Sequence, residues 1–312
     1  MKHFTSANDI ESAPSLVEEG LILKADPHQS KIGTNKTLGL IFFNPSLRTR
    51  LSTQKAAFNL GMNVIVMNIG KDGWNIEFED GAIMNGATQE HIKDGVAVIS
   101  EYVDILGVRT FPELKDKEKD YSEQVLNKFK AYSSVPVISL ESATLHPLQS
   151  LADLITIEEY LIKRPKVVLT WAPHPKALPQ AVPNSFLQWI KLTDADVTMT
   201  CPEGYELAEE FIEGIRIVNN QKEAFDGADF VYAKNWSSYT HYGQVLDIKE
   251  NWTITQEKMQ LTNHGKFMHC LPIRRNVVAT DEVIDNSIVY QQAKNRECAA
   301  QVVLKKILEA NG

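Results

Sequence analysis

Short runs of β-branched and apolar residues alternate with stretches of helical periodicity along nearly the whole chain. Runs at Leu38–Phe43, Asn63–Asn68, Val103–Arg109 and Pro136–Leu140 read as strands. A second series follows at Lys166–Trp171, Asp196–Cys201, Ile215–Val218, Asp229–Lys234 and Lys266–Cys270. Helical stretches such as Arg48–Leu60 and Glu90–Glu101 lie between them. Strands spaced by helices of about 10–15 residues make βαβ units, and such units build parallel sheets with helices on their faces. The apolar helical stretch Pro147–Ile162 separates the two series and stops at Lys163-Arg164-Pro165, since proline cannot continue a helix.

The pattern predicts an α/β chain of two domains, each a parallel sheet flanked by helices. The first is expected over residues 1–150 and the second over 151–312, a length ample for two cores. A last amphipathic helix, Ala293–Leu308 within residues 293–312, is expected to close the structure by packing back on the first domain. The charged stretch Glu113–Asp120 reads as a solvated loop or helix face.

Composition narrows the possible partners. A net charge of −8 provides no basic surface for nucleic acid or an anionic membrane, so neither is expected as a partner. An anionic substrate therefore needs a local cluster of arginines against the overall field. No apolar run approaches the ~20 residues of a bilayer span, and Met1–Leu16 lacks the apolar centre of a signal peptide. Cys201, Cys270 and Cys298 are odd in number and far apart, which fits a reducing cytoplasm. His264 and His269 are five apart, not a helical ligand pair, and neither a metal nor a cofactor is expected.

The strongest chemical signal is Asn44-Pro45-Ser46-Leu47-Arg48-Thr49-Arg50, between a hydrophobic strand and a helix. A helix start already favours an anion through its free N–H groups and dipole. Two hydroxyls and two guanidiniums within five residues turn it into a phosphate clamp. A lone Ser-x-Arg pair is more simply a capped, solvent-facing helix start. Its place at a strand's carboxyl end, where open α/β sheets bind ligands, favours the clamp. A nicotinamide-dependent dehydrogenase, the other common two-sheet reading, lacks its Gly-x-Gly-x-x-Gly here: after Val167–Trp171 the chain runs Ala-Pro-His-Pro-Lys.

Ser-x-Arg-Thr-Arg resembles the carbamoyl phosphate motif of the aspartate and ornithine carbamoyltransferases. His146-Pro147-Leu148-Gln149 and His269-Cys270-Leu271-Pro272 match two further motifs of that family in order, so the resemblance covers essentially the whole chain. It implies that Ser46, Leu47, Arg48 and Thr49 hold the phosphate and that Arg109 bridges phosphate and carbonyl oxygen. It implies that His146 and Thr49 donate to the developing oxyanion. Gln149, the Leu271 backbone and Arg296 would hold the carbamoyl NH₂, with Cys270 lining the site beside the attacking amine. His146 could equally be a helix-capping His-Pro pair, and Cys270 a small buried hydrophobe.

Several stretches resemble the N-acylornithine branch of the family: Lys71-Asp72-Gly73-Trp74, Leu169-Thr170-Trp171, His174-Pro175-Lys176, Tyr232-Ala233-Lys234 and His269–Asn276. The Asp-x-x-x-Ser-Met-Gly with which ordinary ornithine enzymes grip a free amino acid is absent. The branch implies transfer from carbamoyl phosphate to the δ-amine of an N-acylornithine. By that resemblance His174, Lys234 and Arg274 contact the acceptor, with Glu141 near its amide. Trp74 would reach into the neighbouring subunit's site of a homotrimer. Position 90 would lie beside the acyl tail, where acetyl enzymes resemble Glu90 and succinyl enzymes carry proline. Free ornithine as acceptor, and an inactive carbamoyl phosphate-binding homologue, are the alternatives.

Overall fold

All nine strands expected from the pattern form, displaced by at most two residues at either end. The structure is a computed structural model and describes residues 1–311. In the first half the strands are β1 (Thr37–Phe42), β2 (Asn63–Asn68), β3 (Ile76–Glu77), β4 (Glu90–His91), β5 (Ile105–Arg109) and β6 (Val137–Glu141). The second half carries β7 (Lys166–Ala172), β8 (Asp196–Thr200), β9 (Arg216–Val218), β10 (Phe230–Asn235) and β11 (Lys266–Met268). One sheet has the order β2-β1-β5-β6 and the other β11-β10-β7-β8-β9, with every pairing parallel. Helices cover both faces of the sheets, so β5, β6 and β10 are buried at every residue rather than at alternate ones.

Parallel register sets the site. Phe42 at the end of β1 pairs with Arg109 at the end of β5, and Arg109 pairs across a local irregularity with Glu141 at the end of β6. Three adjacent strands therefore deliver their last side chains to one edge.

The last helix is longer than its periodicity suggested, running Val289–Asn311. It packs against the helices Ala13–Ala25, Arg48–Asn59 and Pro147–Glu158, all in the first half of the chain. Its inner face is polar as well as apolar. Asn59 Nδ2 donates to Glu297 Oε1 at 2.8 Å and to Gln301 Oε1 at 3.0 Å, and Lys24 Nζ donates to Asn295 Oδ1 at 2.8 Å.

Several expectations need correction. The helix expected over Glu90–Glu101 spans only Ile92–Ser100, because Glu90 and His91 pair with Ile76 and Glu77 as strands and His91 caps the helix. The connector helix ends at Glu158, well before Pro165, and the chain then turns through Leu161 and Arg164 at positive φ. The stretch Glu113–Asp120 is not simply solvated. Asp120 is buried, accepting the Glu113 and Leu114 N–H groups and the Tyr242 hydroxyl. The polar-looking start also holds structure: Phe4 is fully buried, and the helix Ala13–Ala25 has no strong amphipathic stripe to announce it.

The helix Arg48–Asn59 is terminated by Gly61, whose φ of +80° suits glycine and whose missing Cβ leaves room for the Ser30 carbonyl. A Cβ there would lie 1.9 Å from that oxygen. Gly61→Ala should therefore destabilise the fold by at least about 2 kcal/mol. Urea unfolding measures this, and an unchanged midpoint would show that the turn tolerates a side chain.

Candidate active site

A cavity of about 350 Å³ lies where the carboxyl ends of the two sheets meet. Its floor on one side is the turn after β1. Leu47 precedes the helix Arg48–Asn59 without any side-chain cap, so the first N–H groups of that helix are left uncapped. Ser46, Leu47, Arg48 and Thr49 all line the cavity. Arg48 is half-buried, its Nε has no partner within the chain, and desolvation lowers its pKa.

Arg109 and Glu141 form a buried ion pair, with Nη2 and Nε donating to Glu141 Oε2 at 2.9 and 3.2 Å. Arg109 Nη1 donates to the Pro45 carbonyl at 2.8 Å, tying β5 to the turn after β1, and its guanidinium lies 4.1 Å over the Phe111 ring. His146 follows β6 at the start of the helix Pro147–Glu158, with Nε2 3.7 Å from Glu141 Oε2. Burial, reinforced by Arg296, Arg109 and Lys234, holds its pKa well below the usual 6.5. The imidazole is therefore neutral at pH 7, one donor and one acceptor.

Arg296 reaches into the cavity from the final helix. Nη1 donates to Gln149 Oε1 at 2.9 Å, and Nη2 donates to Thr49 Oγ1 at 2.5 Å. Gln149 in turn donates through Nε2 to Asp153 Oδ1 at 2.8 Å. Asp153 is wholly buried, and burial pushes its pKa up to about 7 against the hydrogen bonds it accepts.

The second sheet supplies the opposite wall. Lys234, next to last in β10, donates to Cys270 Sγ at 3.3 Å, both buried. Leu271 sits at φ +59°, uncommon for a branched residue, and its N–H donates to His269 Nδ1 at 2.9 Å. Only the Leu271 carbonyl is then left to face a ligand. Across the lining, four cationic side chains (Arg48, Arg109, Lys234, Arg296) stand against one carboxylate, Glu141. That excess creates the local positive field the overall charge of −8 denies.

Four other candidates lie outside this cavity. Trp74 is 53% exposed and donates through Nε1 to Glu90 Oε2 at 2.6 Å. Arg274 Nε donates to His174 Nε2 at 3.1 Å. Sequence reasoning passed over Phe111, Asp153 and Gln292. Phe111 carries no pattern of its own. Gln149 and Asp153 are four apart on one helix, a spacing that puts them on one face. Among the described residues no set of His, Cys, Asp or Glu side chains is placed to hold a metal, and no helix is long and apolar enough to cross a membrane.

Fold and site together define a two-domain α/β protein with a cationic pocket between its sheets, suited to an anionic small molecule. The chain belongs to the aspartate/ornithine carbamoyltransferase family. The carbamoyl-P binding domain model of that family matches residues 2–159, and the Asp/Orn binding domain model matches 179–307. It is 53% identical to the N-succinylornithine carbamoyltransferase of Bacteroides thetaiotaomicron over 99% of both chains. It is 39% identical to the N-acetylornithine carbamoyltransferase of Xanthomonas campestris pv. campestris, covering 95% of this chain and 94% of that one. Among solved structures it resembles a glutamate-to-proline variant of N-acetyl-L-ornithine transcarbamylase complexed with carbamyl phosphate and N-succinyl-L-norvaline. The TM-score is 0.90 at 37% identity, over 98% of this chain and 100% of that one.

The neutral His146 has a measurable consequence. Below pH 6.5 the unfolded chain binds a proton there that the folded chain excludes, so His146 weakens the fold as pH falls. The stability of His146→Gln relative to the parent should rise by about 1.4 kcal/mol per pH unit below 6.5. Urea unfolding of both proteins at several pH values tests this. A gap that does not change with pH would mean that the folded protein protonates His146.

Proposed function

We propose that this protein transfers the carbamoyl group of carbamoyl phosphate to the δ-amine of an N²-acyl-L-ornithine, releasing N-acylcitrulline and phosphate on the way to arginine in the cytoplasm. The observation that carries the reading is the four-to-one excess of cations in a cavity that also receives an uncapped helix start. Ser46, the Leu47 backbone, Arg48 and Thr49 hold the phosphate, and Arg109 bridges it to the carbamoyl oxygen. Gln149 Oε1 and the Leu271 carbonyl accept the two carbamoyl N–H groups. Arg296 fixes Gln149 and Thr49 in place. The amine attacks the carbonyl carbon, forming the C–N bond. Charge collects on the oxygen, where Arg109, Thr49 and His146 stabilise it. The C–O bond to phosphate then breaks, and the leaving phosphate takes the proton that the amine sheds. Lys234 and Cys270 line the approach of the amine, while Glu141, His174 and Arg274 serve the acceptor. The two domains divide near residue 150, inside the helix Pro147–Glu158.

The site is completed between subunits of a homotrimer. Leu47, Leu51 and Phe58 are exposed along the helix Arg48–Asn59, and Ile65 is exposed on the edge strand β2, a run of apolar surface suited to a second copy. Trp74 and Glu90, hydrogen-bonded to each other away from their own chain's cavity, enter the neighbour's site as a pair.

Glu90 sets the acyl group. A succinyl tail ends in a carboxylate, and two carboxylates ~4 Å apart repel by ~4 kcal/mol at an effective dielectric of 20. The solved relative that carries proline in place of glutamate is complexed with a succinyl ligand. This chain, although closer in identity to the succinyl enzyme, prefers N-acetylornithine.

Steady-state assays with carbamoyl phosphate and ornithine, N-acetylornithine or N-succinylornithine decide both points. N-Acetylornithine should lead by at least about tenfold in kcat/KM, equal to 1.4 kcal/mol, and Glu90→Pro should shift use toward N-succinylornithine. Efficient turnover of N-succinylornithine by the parent chain removes the role of Glu90. No product from any ornithine removes the reaction class.

Shared sites predict complementation. Trp74→Ala and Arg48→Ala should each be nearly inactive, yet mixed trimers should regain activity, because some hybrid sites contain neither lesion. Absence of rescue after verified subunit exchange would place Trp74 outside the neighbour's site.

A further inference from the structure

Beneath the cavity, a line of buried polar side chains joins its two walls. Asp153 Oδ1 accepts from two amides at once, Gln149 Nε2 at 2.8 Å and Gln292 Nε2 at 2.7 Å. Gln292 Oε1 accepts the His269 N–H at 2.9 Å, and His269 Nδ1 accepts the Leu271 N–H. Gln149 Oε1 accepts from Arg296 at 2.9 Å. Asp153 and Gln292 do not line the cavity themselves.

An amide side chain can sit in two orientations of nearly equal shape, differing only in which end donates. Asp153 removes that ambiguity for both glutamines. Each points its NH₂ at the carboxylate oxygen, so each must present its carbonyl oxygen outward. For Gln149 that oxygen faces the cavity, and for Gln292 it holds the segment that carries Leu271. The remaining oxygen, Oδ2, is buried with no hydrogen-bond partner, as is the Tyr232 hydroxyl. Such a carboxylate is expensive to bury, and the buried charge of Arg296 offsets part of that cost.

We propose that Asp153 is a positioning residue for carbamoyl transfer. It sets the amide of Gln149 and, through Gln292 and His269, the Leu271 carbonyl, so that two acceptors face one NH₂ group. The inference rests on the reading that Gln149 Oε1 accepts a carbamoyl N–H.

The test is a double-mutant cycle in the full chain, reading kcat, KM for carbamoyl phosphate, inhibition by inorganic phosphate and the melting temperature. Asp153→Ala should lower kcat by about 100-fold, the scale of a misplaced reacting group, while inhibition by phosphate stays nearly unchanged. Asp153→Asn should retain most activity, because its amide oxygen can take both donors while its NH₂ turns toward Tyr232. In a Gln149→Ala background, Asp153→Ala should lower kcat by clearly less than its roughly 100-fold in the parent, since only the branch through Gln292 to Leu271 is then left to lose. Asp153→Ser is too short to reach both amides and carries the same expectation where the Ala variant fails to fold. Fully additive losses, or an Asn variant as impaired as Ala, would overturn the positioning role. A Gln149→Ala variant with unaltered kinetics would overturn the underlying reading of Gln149 as well, so the two failures are distinct.

Discussion

The guanidinium of Arg296 is the constraint around which the site is organised. It is almost wholly buried, and its hydrogen bonds run to neutral groups, the Gln149 amide oxygen, the Thr49 hydroxyl and, at 3.4 Å, His146 Nε2. Taking a cation out of water costs several kcal/mol unless other charges or hydrogen bonds offset it. Burial accordingly lowers its pKa, with Cys270, Glu141 and Asp153 pulling the other way. Arg48, Arg109 and Lys234 add to the same excess. A pocket held in this state is incomplete as a piece of folding and well suited to a dianion. Its dipoles and charges already point where negative charge will sit, so little reorganisation is needed when it arrives.

Such an arrangement relaxes toward water unless its supports are rigid. The final helix provides the rigidity. Asn295, Glu297 and Gln301 anchor it to the helices before and after the first strand, and Gln292 and Arg296 then face the cavity side from the same helix. On the opposite wall the parallel register does the equivalent work. Phe42, Arg109 and Glu141 end neighbouring strands in one row, and Arg109, paired with Glu141, holds the turn that starts the helix Arg48–Asn59. Glu141 thereby offsets part of the excess, and among the described residues the other three cations have no carboxylate partner.

Much of this was legible in the chain because each motif sits directly after a buried parallel strand. Such strands are long apolar runs, and the residues just beyond them gather at one edge of the sheet. Arg109 stands at such an end, His146 and Cys270 follow in motifs read by resemblance, and the structure brings all three to one cavity. Features made by tertiary packing were not legible. The helix Ala13–Ala25 buries residues without a clean apolar stripe, and the pairing of Glu90–His91 with Ile76–Glu77 is only two residues long. Asp120 looked solvated because its partners, the backbone at Glu113 and the hydroxyl of Tyr242, are set by a distant loop. Asp153 was hidden for a similar reason, since its second amide comes from a helix 139 residues later.

The tension over the acyl group follows from the same geography. Whole-chain identity, 53% against 39%, averages over the sheets, the cores and the cationic cavity as well as over single positions such as Glu90. It reports descent and reaction class. Glu90 belongs to a different layer, a short strand pair at the rim whose carboxylate is steered by the exposed Trp74 rather than by the core. Among the described residues no hydrogen bond joins Glu90 or Trp74 to Arg296 or to the side chains that hold it. The Trp74 hydrogen bond also gives Glu90 a direction, and under the proposed function that carboxylate would oppose a second one on the acyl tail. Proline at the same position would carry neither the charge nor the acceptor for Trp74. Under the proposed function, preference for the acyl group would be set by that pair, a feature that whole-chain identity does not report.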